Sequence, residues 1–245
     1  KKEILLKYLQ NLIIKKLTII LQGGSDKMKH ADKFYESQLN SINEKLVKMG
    51  SLLEKQFASA LEVLDTRDEQ LAQKVVDNDH EINQLNHEIS DFVFQIIAMR
   101  QPIADDLRFL FCTIKIIRDL ERIGDHITSI AKKATRVSKN IPSEFTEKLT
   151  NLGKQASVMT HDALNCLFER RLSQVAKIAK RDDIIDELHG EFISDVLPYM
   201  KKHDDFIPDS LSLIQMSKAI ERVGDHITNI MEEVHFLIEG QYSSD

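Results

Sequence analysis

Apolar residues recur along the chain at three- and four-residue intervals. Leu39, Ile42, Leu46, Met49, Leu53, Phe57, Ala60 and Leu64 form one unbroken ladder, the spacing of a helix with a single buried face. It predicts a helix from about Asp32 to Leu64. Thr66 and Glu69 then stand at capping-box spacing and are expected to open a second helix. That helix continues through Val75, Ile82, Leu85, Ile89, Phe92 and Ile96. Pro102 sits where a third helix would begin, and Pro142 and Pro208 punctuate the later chain in the same way. Pro198 falls late inside a helical pattern and is expected to bend it. Gly50, Gly124, Gly153, Gly190 and Gly224 also lie inside helical patterns. Each costs about 1 kcal/mol relative to Ala, so close approach of backbone or ligand is the expected compensation.

The pattern occurs twice. ERIGDHITSI at 121–130 and ERVGDHITNI at 221–230 share 8 of 10 positions. Upstream, at an offset of 103, Gly50 matches Gly153, Ala60-Leu61 matches Ala163-Leu164, Lys74 matches Lys177, Asp79 matches Asp182, Leu85 matches Leu188 and Glu88 matches Glu191. One three-residue indel reconciles the two offsets. Each unit reads as three helices, and helices of about 30 residues are about 45 Å long. Short connections make neighbouring helices antiparallel. The expected fold is all-α: two tandem three-helix bundles of six long helices, related by internal duplication, over residues 28–139 and 140–245.

Composition agrees with this and narrows the function. Only 8 Gly and 4 Pro occur in 245 residues, with 42% hydrophobic and 29% charged residues, the balance of a folded helical protein. Residues 1–27 carry six lysines against Glu3 and Asp26, a net +4, which leaves residues 28–245 at −10 of the overall −6. An acidic body argues against nucleic acid and suits cation binding. Cys112 and Cys166 stand alone, which fits neither a zinc knuckle nor a disulfide scaffold and agrees with a reducing cytoplasm. In the 4–21 segment Lys7, Lys15 and Lys16 interrupt the apolar run, so it is not expected to span a membrane. Its apolar positions would allow at most peripheral membrane contact. Gly23-Gly24-Ser25 and Met28 mark 1–27 as an appended or extra N-terminal segment.

A helical wheel over the third helix separates the acids from the bases. Ile116, Leu120, Ile123, Ile127, Ile130, Ala134 and Val137 form the core stripe. Beside it, Leu107, Leu110, Ile114 and Ile117 lead into Glu121, Asp125 and Thr128, so these two carboxylates continue an apolar face. Glu221 and Asp225 repeat the placement behind Ile207 and Ile214. Lys115, Arg118, Arg122, His126 and Lys133 fall on the opposite side, which places His126, and its copy His226, in water and away from the acids. Carboxylates four residues apart repel, and burying one unpaired costs more. The second helix offers Asp79 with Asn83, matched by Asp182 with Asp186. Oxygen ligands from two helices suit Mg, Mn or Fe better than Zn. A competing reading needs no metal: Arg118 or Lys218 would pair with Glu121 or Glu221, and Arg122 or Arg222 with Asp125 or Asp225.

The repeated E-R-[IV]-G-D, the stretch Arg100-Gln101-Pro102 with Asp106-Leu107-Arg108, and Lys48-Met49-Gly50 resemble the PhoU family over about residues 30–241. The resemblance implies two three-helix bundles related by a pseudo-twofold and multinuclear metal sites on E(D)xxxD motifs. Those motifs fall on Glu121 with Asp125, Glu221 with Asp225, and Asp182 with Asp186. The first-unit counterpart of the last pair is Asp79 with Asn83, an amide where the motif has an acid, so the two sites are expected to differ. Bound ions would be divalent or trivalent Fe, Mn, Mg or Zn. The resemblance further implies a cytoplasmic, non-enzymatic negative regulator of phosphate uptake and of the phosphate-starvation response. Its implied partners are the ATPase of the phosphate ABC transporter and the phosphate sensor histidine kinase, and a homodimer is expected. Two alternatives are a structural helical adaptor with salt-bridged acids and a di-iron carboxylate oxidase. The oxidase needs Glu-x-x-His from each of two helices, and only Glu232 with His235 supplies one, its counterpart at 132–135 being KKAT.

Overall fold

The structure, a computed structural model, describes residues 31–138 and 140–242. The expectations about residues 1–27 lie outside the described residues. Seven α-helices and one 3-10 turn account for nearly all of the rest, with no strand among the described residues. The first repeat contains α1 (Ala31–Thr66), α2 (Glu69–Arg100) and α3 (Ala104–Ala134). The second contains α4 (Ser143–Glu169), α5 (Leu172–Ala179), α6 (Asp182–Lys202) and α7 (Ile207–Glu239). The all-α, duplicated architecture is therefore as expected, with one difference. The middle helix of the second repeat is interrupted at Lys180 and Arg181, where tight turns replace regular helical bonds: Arg181 N–H donates to the Ile178 carbonyl at 3.0 Å. This break puts Asp182 in the first turn of α6, whereas its counterpart Asp79 lies well inside α2.

The whole predicted ladder of α1 is buried, from Leu39 to Leu64. In α2, Val75, Ile82, Leu85, Ile89 and Ile96 are buried as expected. Phe92, however, is only partly covered, and Val93 takes its place on the inner face. A helix of 32 residues drifts relative to any strict three-four pattern, so its stripe migrates by one position over its length. Asp79 sits on this inner face between Val75 and Ile82 and is itself buried. In α3 the core stripe from Ile116 to Val137 is buried in full.

Within each repeat the three long helices pack on one another, and the repeats join through α3 against α7, the most extensive helix pair, and through α1 against α4. Glycines serve these close contacts at particular places. A Cβ at Gly153 would lie 2.5 Å from Leu61 Cδ2, so glycine lets α4 approach α1. At Gly190 a Cβ would meet nothing within 4 Å, so no close approach compensates that residue.

The connection from α1 to α2 differs from expectation. Asp68, not Thr66, caps α2, accepting from Gln70 N–H at 2.8 Å and Leu71 N–H at 3.1 Å. The Thr66 hydroxyl instead donates back to the Glu62 carbonyl of its own helix at 2.8 Å. Gln101 ends α2 in the left-handed region at φ 48°. Pro102 follows it and α3 starts at Ala104, so Pro102 precedes that helix rather than opening it. Pro142 stands at the N-cap of α4 and Pro208 in the first turn of α7, while Pro198 lies inside α6. No helix among the described residues is long and apolar enough to cross a membrane.

Replacing Asp68 by Ala is expected to lower stability by about 1 kcal/mol in urea unfolding, the usual cost of a lost N-cap. Thr66→Ala should cost less than half of that, and equal effects would contradict the assignment of the cap.

Candidate functional site

The E-R-[IV]-G-D segments lie in α3 and α7, and the second acidic pair of each repeat lies in α2 and α6. In both repeats the glutamate is the more inward of the motif's two acids: 21% of the Glu121 side chain and 13% of Glu221 are exposed, against 41% for Asp125 and 37% for Asp225. The salt-bridge reading finds part of its support here. Arg122 pairs with Asp125 at 3.4 Å, Arg222 with Asp225 at 2.9 Å, and Lys218 with Glu221. Arg118 is exposed, and Glu121 has Arg122 rather than Arg118 as its ion-pair partner. The pairing bases come from the solvent side, and the arginines also reach a glutamate oxygen at ion-pair range, Arg122 Nε to Glu121 Oε2 at 3.6 Å and Arg222 Nε to Glu221 Oε2 at 3.8 Å. Glu221 Oε2 is nonetheless buried without a hydrogen-bond partner.

The sites in the two repeats are neutralised differently. In the first, Gln56 of α1 is fully buried. Its amide NH2 donates to Asp79 Oδ1 at 3.1 Å and Thr128 Oγ1 at 3.0 Å, with the Val75 and Gly124 carbonyls at 3.3 and 3.5 Å. Asn83 donates to the other oxygen of Asp79 at 3.4 Å. Both carboxylate oxygens of Asp79 thus accept from an amide. Burial, followed by the negative charge of Asp125, raises the pKa of Glu121, while Arg122 opposes the shift.

In the second repeat neither amide is present. The position 103 residues on from Gln56 is Met159, also fully buried, and that of Asn83 is Asp186. Asp182 accepts only from the Thr228 hydroxyl, at 3.2 Å, and its Oδ1 is buried with no partner. Burial, then the charge of Asp186, pushes Asp182 up to about 6, with Asp225 and Glu221 adding to the shift. Asp186 is also raised, by loss of hydration first and then by Glu221 and Asp225. Gly224 makes the close fit: a Cβ there would come within 2.1 Å of Asp182 Oδ1.

Asp182, Asp186, Glu221 and Asp225 therefore share one electrostatic neighbourhood with too little positive charge inside it. An oxygen-only donor set with orphaned inward atoms fits a hard cation. It is not an assembled cage, since among the described residues no three His, Cys, Asp or Glu side chains stand ready to hold an ion. Ligation would require Glu221 and Asp225 to leave Lys218 and Arg222.

Two placements differ from the wheel. His126 and His226 do not face water. Their rings meet 5.5 Å apart on the seam between α3 and α7, where each repeat presents the same residue to the other. His226 Nδ1 lies 2.9 Å from Asp119 Oδ1. His126 has no such carboxylate, because the position matching Asp119 is Ala219, and burial together with His226 and Arg222 pushes it down to about 4. The residue missed in the sequence is Gln56, whose visible signal was a polar side chain between Leu53 and Phe57 on an otherwise apolar face. Glu232 is exposed, and His235 Nδ1 lies 3.1 Å from the Gln241 carbonyl oxygen, so this pair forms no di-iron half-site.

Fold and site together define a class: a duplicated helical protein whose repeats each bring carboxylates inward from two helices. The PhoU domain family matches residues 46–134 and 149–234, one match in each repeat. A phosphate-specific transport system accessory protein PhoU homolog of Clostridium acetobutylicum is 35% identical over 210 residues, covering 85% of this chain and 96% of that protein. The phosphate-specific transport system accessory protein PhoU of Escherichia coli is 29% identical over 213 residues, covering 87% and 88%. The crystal structure of PhoU from Pseudomonas aeruginosa superposes with a TM-score of 0.80 at 30% identity, covering 84% of this chain and all of that one. That of the phosphate transport system regulatory protein PhoU from Streptococcus pneumoniae gives 0.78 at 28% identity, covering 86% of this chain. The chain belongs to the PhoU family.

The raised pKa of Asp182 sets a pH dependence. The folded protein keeps a proton that the unfolded chain releases, so this group's contribution to stability is full below its ordinary 3.8 and is lost as pH rises through about 6. In chelator-treated protein, wild type should lose stability relative to Asp182→Asn between those pH values. Parallel urea midpoints across the interval would contradict the burial of an uncompensated carboxylate.

Proposed function

We propose that this chain is a cytoplasmic, non-catalytic accessory regulator of a phosphate transport system. It restrains the phosphate ABC transporter through its ATPase and holds the phosphate sensor histidine kinase in its inhibitory mode when phosphate is plentiful. The observation that carries this reading is the extent of the match. Relatives named as phosphate-specific transport system accessory proteins align along 88–96% of their own length, with a family match in each repeat. The reading extends to a homodimer and to a bound hard cation, Fe, Mn or Mg before Zn, held by Asp182, Asp186, Glu221 and Asp225, with Asp79, Asn83, Glu121 and Asp125 forming the weaker counterpart. The orphaned oxygens of Asp182 and Glu221 support the cation.

The structural-adaptor reading keeps one specific observation in its favour, the ion pairs Lys218–Glu221, Arg222–Asp225 and Arg122–Asp125. Metal content separates the two. Protein purified without added metal should retain ions that Glu221→Ala/Asp225→Ala loses, and negligible metal in both would favour the adaptor. For the regulatory role, deleting the gene should switch on phosphate-starvation genes in high phosphate. Unchanged repression would sink it.

A further inference from the structure

The two repeats of the chain treat equivalent inward carboxylates differently. A buried carboxylate needs donors or a counter-charge. Asp79 is given two amides, Gln56 on one oxygen and Asn83 on the other. Asp182 is given one hydroxyl and keeps a bare buried oxygen. The side chain that differs at the centre is Gln56, which the duplication replaces by Met159. Methionine fills the same interior position with no N–H to donate.

The orientation of the Gln56 amide follows from its surroundings. The Asp79 carboxylate, the Thr128 hydroxyl and two backbone carbonyls all lie within 3.5 Å of Nε2. Turning the amide over would aim its oxygen at the carboxylate and both carbonyls, which repel it. The present orientation leaves Oε1 buried without a partner, as Asn83 Oδ1 also is, so the site accepts two unsatisfied amide oxygens in order to put N–H groups beside the carboxylate. Those N–H groups occupy the place a cation would take beside Asp79.

Resting on the metal reading above, we propose that Gln56 is a specificity-determining residue that closes the first repeat to cations, and that Met159 leaves the second repeat open. In the first repeat a metal has to displace a fully buried amide from several acceptors and strand its N–H groups. In the second it meets Asp182 with its bare oxygen, Asp186, and two motif acids tethered to surface bases, with His189 beside them. The repeats have thus diverged into one core whose buried carboxylate is held by amides and one ligand site, although their E-R-[IV]-G-D segments are nearly identical.

The test exchanges the two residues and counts metal. Full-length protein is stripped with chelator and dialysed against Mn2+, and bound manganese is measured by atomic emission for wild type, Gln56→Met, Gln56→Met/Asn83→Asp and Met159→Gln, with circular dichroism confirming helicity. Wild type should hold Mn2+ that is lost with Glu221→Ala/Asp225→Ala and kept with Glu121→Ala/Asp125→Ala. Gln56→Met should tighten first-repeat Mn2+ binding by about tenfold or more, the usual scale for residues that govern ligand availability. Adding Asn83→Asp should strengthen that gain, and Glu121→Ala/Asp125→Ala should remove it. Met159→Gln should weaken second-repeat binding by about the same factor. Because Gln56→Met installs a residue the fold already uses in the other repeat, it keeps the test decisive if Met159→Gln fails to fold. Wild type that binds no Mn2+ overturns the metal reading and this inference together. Wild type that binds Mn2+ equally in both repeats, or a Gln56→Met that leaves the first repeat unchanged, overturns the role of Gln56 alone.

Discussion

A carboxylate on the apolar face of a helix has to be neutralised from inside the bundle, and the central polar layer of each repeat is arranged around that requirement. Asp79 and Asp182 occupy equivalent inward positions, and glycine stands opposite each on the neighbouring helix, Gly124 in one repeat and Gly224 in the other. At Gly224 a side chain would collide with the carboxylate, and at Gly124 a Cβ would sit in tight contact with it at 3.0 Å, which accounts for glycine in mid-helix despite its intrinsic cost. Around this shared frame the two repeats reach different solutions. One surrounds its buried acid with amide donors, and the other gathers more acids and leaves their inner oxygens bare.

Positive charge on the outside does not remove the need. Arg122, Arg222 and Lys218 reach the motif acids from their exposed side, where screening makes such pairs worth little. They hold Glu121, Asp125, Glu221 and Asp225 but leave Glu221 Oε2 without a hydrogen bond. The helices that carry these acids, α3 and α7, also form the seam between repeats. The acidic face and the paired histidines His126 and His226 are therefore neighbours on one segment.

Much of this was legible in the residues. The ladders of α1 and α3 gave the buried faces, the offsets of 100 and 103 gave the duplication, and the wheel placed the four motif acids beside the core. Asn83 opposite Asp186 signalled that the sites differ. Three things were not legible. A wheel treats each helix alone, so it assigned His126 and His226 to water when a second helix covers them. Capping was read from Thr66 and Glu69, but Asp68 reaches the same N–H groups and competes more strongly for them. Gln56 carries no sequence signal of its role, because that role depends on Asp79 and Thr128, 23 and 72 residues further along the chain.

In the proposed reading a cation completes the carboxylates of the second repeat, while amides hold Asp79 in the first. A ligand that binds only the folded state raises its stability. The most direct measurement is therefore the shift in thermal midpoint on adding Mn2+ to chelator-treated wild type, Glu121→Ala/Asp125→Ala and Glu221→Ala/Asp225→Ala. Stabilisation that persists in the first variant and vanishes in the second is expected. Stabilisation that persists in the second variant and vanishes in the first, or none in wild type, would contradict that reading.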